Sequence, residues 1–276
     1  MLAFGVDRIT GDESGPLVRV GLVASDPPTS PQIASQGAAT TALLDAYARS
    51  AEALAAQGAQ LIVLPEKLGV VVDATARDAD ARFQALADRT RAVIVVGLVH
   101  AASAATRNEA RIYAPDAPLQ VYTKHHLLPP FEPFEPGTVL SLLSQPLGTG
   151  GVQICKDMDF PPLSRDYGRA GVALMVVPAW DFGADGFLHG RMAVMRGVES
   201  GFSLVRAAKH GYLTVSDHKG RILAETPSDA AAFSTLVARV IAVHVATLYQ
   251  QLGDWFAWLA LAGLALAIGQ LLRRRH

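Results

Sequence analysis

The sequence predicts a layered α/β fold. Apolar runs of strand length alternate with amphipathic helical stretches through the first part of the chain. The same rhythm returns beyond residue 150, and 50% of the 276 residues are hydrophobic, enough for a sizeable core.

In chain order the first half reads as a strand at Val18–Ala24, a helix over Thr40–Ala56, a strand at Leu61–Pro65, a helix over Ala76–Thr90 and a strand at Ala92–Val99. Asn108–Ala114 and Leu119–Thr123 flank the turn Pro115-Asp116-Ala117-Pro118 as a hairpin, and a proline-rich loop, Pro129–Gly137, follows. The second half offers strands at Gly151–Cys155, Ala173–Pro178, Ser203–Ala207 and Tyr212–Ser216. Helices are expected over Pro162–Ala170 and Leu188–Ser200. This repetition predicts two α/β halves packed on one core.

Residues 1–16, with Gly11, Glu13, Ser14, Gly15 and Pro16, read as an irregular lead-in. Met1–Val6 lacks a basic flank and a long apolar run, so it makes a poor signal peptide, and it fits the tail of an upstream membrane helix. A catalytic body is expected over 17–250, followed at 251–276 by a membrane helix and basic tail. From Trp255 to Leu272 run 18 residues without a formal charge, and Arg273, Arg274, Arg275 and His276 close the chain. That length is near the lower end of a bilayer span of about 20 residues. The two tryptophans suit an interface, and the arginines favour the cytoplasmic side, which puts the body on the other.

Composition narrows the chemistry. A net charge of −1 provides no basic field for nucleic acid. The single cysteine, Cys155, rules out an intrachain disulfide and a thiolate-rich zinc site, and the eight histidines show no HExxH spacing, so neither metal nor cofactor is expected.

Three residues stand out. Glu66 directly follows an apolar strand, the end of a strand where open α/β sheets place their sites. Lys124 follows another strand and opens an apolar, proline-rich loop that would desolvate its amine. Cys155 stands at a strand-to-helix elbow, where backbone amides and nearby cations favour thiolate. Taken singly, each has a plainer reading: a solvated acid, a surface lysine, a buried hydrophobe.

Together, in the order Glu–Lys–Cys, they resemble the triad of the carbon-nitrogen hydrolase, or nitrilase, superfamily. The resemblance is carried by LIVLPE at 61–66, YTKHHLLP at 122–129 and VQICKDMDFP at 152–161, with support from Asn108-Glu109-Ala110 and from residues 189–211. It implies an α-β-β-α sandwich, here with a C-terminal transmembrane helix. It also implies a thioester mechanism in which Glu66 is the general acid–base, Lys124 stabilises the oxyanion and Cys155 is the nucleophile.

A narrower likeness is to the apolipoprotein N-acyltransferase branch, in which a second glutamate, matched by Glu132, follows the triad lysine and a membrane helix closes the chain. This likeness implies a phospholipid acyl donor, a lipoprotein N-terminus as acceptor, an inner-membrane location and a preceding membrane part. Lys156 and Asp157 depart from the branch, which has an aromatic residue and then Glu after the cysteine. Trp180 is a candidate pocket wall, and Arg196 with Glu199, three apart on a helix, a candidate support for the site or a plain helical ion pair. A membrane-tethered amidase and a non-catalytic lipoprotein-binding relative are the alternatives.

Overall fold

The computed structural model describes residues 15–26, 33–143 and 148–274. Most of the lead-in, Met1–Val6 included, and the terminal Arg275 and His276 lie outside the described residues. Two sheets face each other, each covered on its outer side by helices. The first is formed by β1 (Leu17–Ala24), β2 (Leu61–Val63), β3 (Val70–Val71), β4 (Val93–Ala101), β5 (Thr106–Tyr113), β6 (Gln120–Thr123) and β13 (Ser234–Ile241), in the order β13-β1-β2-β4-β5-β6, with β3 beside β4. The second comprises β7 (Leu142–Leu143), β8 (Gly150–Val152), β9 (Leu174–Trp180), β10 (Ser203–Lys209), β11 (Tyr212–Ser216) and β12 (Ile222–Pro227), in the order β12-β11-β10-β9-β8-β7.

Alternation along the central strands explains the layering. In β1, Val18, Val20 and Leu22 enter the core between the sheets, whereas Val23 turns to the helix layer. Val93 and Val95 of β4 point inward; Ile94, Val96 and Leu98 point out to α1 (Ala38–Ala56) and α2 (Asp73–Thr90). Across the sandwich, Leu174 and Val176 of β9 join the shared core. Met175, Val177 and Ala179 face the outer layer of α3 (Pro161–Arg169) and α4 (Gly186–Ser200). Strands apolar on both faces produce an α-β-β-α stack in which both halves use one core.

At one end the sheets are joined: the Glu66 amide, just beyond β2, donates to the carbonyl of Ala179 in β9 at 3.3 Å. That contact needs a glycine opposite. A Cβ on Gly97 of β4 would stand 2.3 Å from the Pro65 carbonyl oxygen and 2.6 Å from the Glu66 Cα.

Two differences from the sequence reading have physical causes. No strands were expected beyond Ser216, yet β12 and β13 form there as sheet edges. Their half-exposed positions and interspersed Glu225 and Arg239 conceal the alternation. The strand before the cysteine stops at Val152 rather than reaching it, because Cys155 takes φ +45° and opens a 3-10 turn, Cys155–Asp159. Past the body, α5 (Leu248–Leu252) leads into α6 (Trp255–Arg273), which is long and apolar enough to cross a membrane and has none of its apolar window buried. A core helix would have been covered.

Gly97→Ala is expected to force the Pro65–Glu66 backbone off its seat and to cost about 1–3 kcal/mol, the usual scale of core overpacking. Urea unfolding followed by tryptophan fluorescence measures it; an unchanged midpoint would refute the close approach.

Candidate active site

Each of the three sequence-selected residues leaves a strand end on the same side of the sandwich. Glu66 follows β2, Lys124 follows β6, and Cys155 lies two residues past Gln153, whose amide still bonds to Val176 of β9 at 3.1 Å. All three line one cavity of about 590 Å³, with Trp180 and Lys67 among its walls.

Glu66, Lys124 and Glu132 are almost completely buried. The Lys124 ammonium donates to Glu66 Oε1 at 2.8 Å and to Glu132 Oε2 at 2.9 Å. Lys67 completes the cluster, 2.5 Å from Glu132 Oε1 and 3.7 Å from Glu66 Oε1. Two carboxylates and two ammoniums thus neutralise each other where unpaired charge would be costly. Asn108 Nδ2 donates to both acids, at 2.6 Å to Glu66 and 2.9 Å to Glu132. Its own Oδ1 is buried with no hydrogen-bond partner among the described residues.

Glu132 is fixed by its own loop as well. Its Oε2 accepts from the Leu128 amide at 2.9 Å, and its amide donates back to the Leu128 carbonyl at 2.9 Å. The proline-rich segment therefore closes over Lys124 instead of extending into solvent.

Cys155 is half-buried, and its Sγ–H points to the Trp180 carbonyl oxygen at 3.3 Å. Burial and the Glu66 carboxylate push its pKa far up, against the pull of Lys124, so the resting group is a thiol. Burial alone would raise the Glu66 carboxyl, but Lys124, Lys67 and the hydrogen bonds from Lys124 and Asn108 bring it down to about 2. Lys124 is held cationic: its burial is outweighed by Glu66 and Glu132. The arrangement is a neutral nucleophile beside an ionised base and a fixed cation, the elements that acyl transfer to sulfur requires. The left-handed backbone of Cys155 is itself uncommon for a residue with a side chain, a conformation retained where the surroundings enforce it.

Comparison with known proteins shows the family and the fold. The family model for carbon-nitrogen hydrolase matches residues 29–245, most of the chain. The chain belongs to the carbon-nitrogen hydrolase family. Its curated relatives include apolipoprotein N-acyltransferases. That of Geobacter metallireducens is 36% identical over 147 residues, 51% of this chain and 28% of the relative. That of Gloeobacter violaceus is 28% identical over 250 residues, 80% of this chain and 48% of the relative. The chain therefore spans less than half the length of these proteins.

Among solved structures the fold is shared with an amidase from Nesterenkonia sp. that carries the acetamide moiety of fluoroacetamide on its active-site cysteine. The TM-score is 0.70 at 22% identity, covering 82% of this chain and 91% of that one. A nitrilase-superfamily member from Saccharomyces cerevisiae gives a TM-score of 0.66 at 20% identity, covering 80% and 90% of the two chains.

Of the remaining sequence candidates, Trp180 lines the cavity and Glu132 stands behind it, bound to the lining residues Lys67 and Lys124, whereas Arg196 and Glu199 are not among its lining residues. They form an ion pair at 3.0 Å within α4, near Tyr249 of α5. Several residues at the site were not singled out from sequence. Lys67 was hidden as the neighbour of Glu66. Asn108 was noted only within a supporting stretch, although an amide just before a hairpin was the available signal. Lys209, buried beside Trp180 with its Nζ 3.7 Å over the ring, donates to the Lys67 carbonyl at 3.1 Å; burial lowers its pKa to about 7. Arg206 and Asp181 make a buried bidentate pair in the cavity wall, at 2.9 and 2.5 Å.

Asp157, which had registered only as a departure, ties the cysteine turn to the lysine loop. Its fully buried carboxylate accepts from the Tyr122 hydroxyl at 2.7 Å, from the amides of His125 and His126 at 3.1 and 2.8 Å, and from the Ile154 amide at 3.0 Å. Asp157→Ala should strand these donors and cost about 3 kcal/mol or more, since each buried unsatisfied group costs about 1–3. Thermal unfolding of purified variant and parent tests it, and equal stability would show that the carboxylate does not hold the two loops together.

Proposed function

We propose that this chain is the catalytic part of a membrane-bound acyltransferase that moves an acyl chain from phospholipid to the N-terminal amine of a lipoprotein through a thioester on Cys155. The observation that carries the reading is the combination of the buried Glu66–Lys124–Cys155 cavity with an uncovered apolar helix on the same chain. The relatives named apolipoprotein N-acyltransferase support it.

In this scheme Glu66 takes the thiol proton as sulfur attacks the donor ester carbonyl, while Lys124 and the amide after Cys155 meet the oxyanion. Collapse breaks the carbon–oxygen ester bond, and Glu66 returns the proton to the departing lysophospholipid alcohol. The acceptor amine then attacks the thioester and gives a proton to Glu66; the carbon–sulfur bond breaks as the amide forms, and Glu66 returns that proton to the sulfur. Glu132 and Lys67 keep Lys124 and Glu66 in place, and Trp180 walls the cavity. Residues 17–250 form the catalytic body and 251–276 the membrane helix with its basic tail. The arginines lie on the cytoplasmic side of a bacterial inner membrane and the body on the opposite side.

The direct experiment supplies vesicles of phospholipid with a labelled acyl chain together with a diacylglyceryl peptide bearing a free N-terminal cysteine. Labelled amide is expected, with a thioester trapped on the parent and lost in Cys155→Ala; Glu66→Gln should lower turnover by about 10²-fold or more. Ammonia release from small amides with no acyl transfer would make the protein an amidase instead.

A pH profile tests the base. Because folding lowers the Glu66 carboxyl from 4.5 to about 2, it is ionised throughout the neutral and mildly acidic range, and its share of folding stability is lost only as pH falls from 4.5 to about 2. Alkylation of Cys155 by a small thiol reagent should therefore be nearly flat with pH from mild acid to neutrality. In Glu66→Gln it should instead climb by about tenfold per unit, as reaction through free thiolate does. A parent profile with that same slope would remove Glu66 from proton transfer.

A further inference from the structure

The face of α4 turned away from the second sheet is apolar. Leu188 is 62% exposed, Met192 37% and Met195 51%, and their spacing of four and then three residues places them on one stripe. Phe187 lies beside it, 50% exposed. A helix facing water normally carries charge there. In α4 the charges are drawn aside: Arg191 is bidentate to Glu225 at 2.7 and 2.9 Å and lies 4.4 Å over the Phe187 ring, and Arg196 turns to Glu199.

Both ends of the helix lead somewhere. Its first turns border the cavity through His189 and the preceding Phe182. At its other end, the Glu199 carbonyl accepts a hydrogen bond from the hydroxyl of Thr247, the N-cap of α5, and α5 leads directly into α6. At 1.5 Å per residue, α4 spans about 22 Å from the cavity mouth to the root of the apolar helix.

We infer that the Leu188–Met192–Met195 stripe lies in the surface of the bilayer that α6 crosses, so that the cavity opens at the lipid boundary. This inference rests on the reading of α6 as a membrane helix. The occupant is lipid because the chain itself brings this face there: wherever α6 enters the bilayer, the end of α4 is one five-residue helix away. Leu, Met and Phe on one side with arginines folded to the flanks is the make-up of a helix lying in an interface. Phe131 and Phe182, 77% and 63% exposed on the rim, carry the apolar surface on to the cavity. A single acyl chain could then pass from the membrane to the sulfur without crossing water.

The test is site-specific photo-cross-linking of the full chain in nanodiscs, with p-benzoylphenylalanine placed singly at Leu188, Met192 or Met195. Leu264 in α6 reports separately on the membrane helix, and Glu52 on the far helix layer serves as control. Phospholipid adducts at the three α4 positions severalfold above those at Glu52 are expected. Adducts at Leu264 with only control levels along α4 would overturn the inference and leave the membrane helix standing. Cross-links from α4 to a second copy of the chain would overturn it as well. Since lipid adducts form without turnover, the result is independent of whether acyl transfer is the reaction.

Discussion

The structure depends on a buried charge balance. Two carboxylates and two ammoniums from three separate parts of the chain meet in a space nearly closed to water, and none could be accommodated there alone. Lys124 is held cationic by Glu66 and Glu132, and Glu66 is held anionic by Lys124 and Lys67. The thiol beside them has the opposite fate, since burial and the carboxylate keep its proton on. Electrostatics thereby leaves the Glu66 carboxyl ionised and the Cys155 thiol protonated, the states the proposed mechanism starts from. Asn108 fixes the geometry by sharing one amide nitrogen between the two acids.

The scaffold sets where this balance can exist. Strand ends from both sheets converge at one edge of the sandwich, and the bond from Glu66 to Ala179 spans the join. Gly97 lets the acid's backbone lie close to β4, and Asp157 binds the cysteine turn to the lysine loop. The precision of the site therefore derives from backbone contacts as much as from the reactive side chains.

Much of this was legible in the sequence. Doubly apolar strands such as Val93–Ala101 announce themselves, and the order Glu66, Lys124, Cys155 at strand ends identified the cavity. What was hidden shares a cause: its signal is long-range. Asp157 looks like any turn acid until four donors from two separate stretches of the chain are seen to point at it. Lys67 and Lys209 are ordinary lysines in sequence, and only folding brings one onto Glu132 and the other onto Trp180. The edge strands β12 and β13 are defined by their neighbours more than by their own pattern.

Glu66 and Lys124 follow strands of one sheet and Cys155 a strand of the other, with their shared core between. Under the proposed mechanism neither half carries the chemistry by itself. In that scheme the first sheet alone would hold a proton acceptor with nothing to deprotonate, and the second a thiol left unactivated. In that scheme reactivity is a property of assembly and exists only once the two sheets have docked.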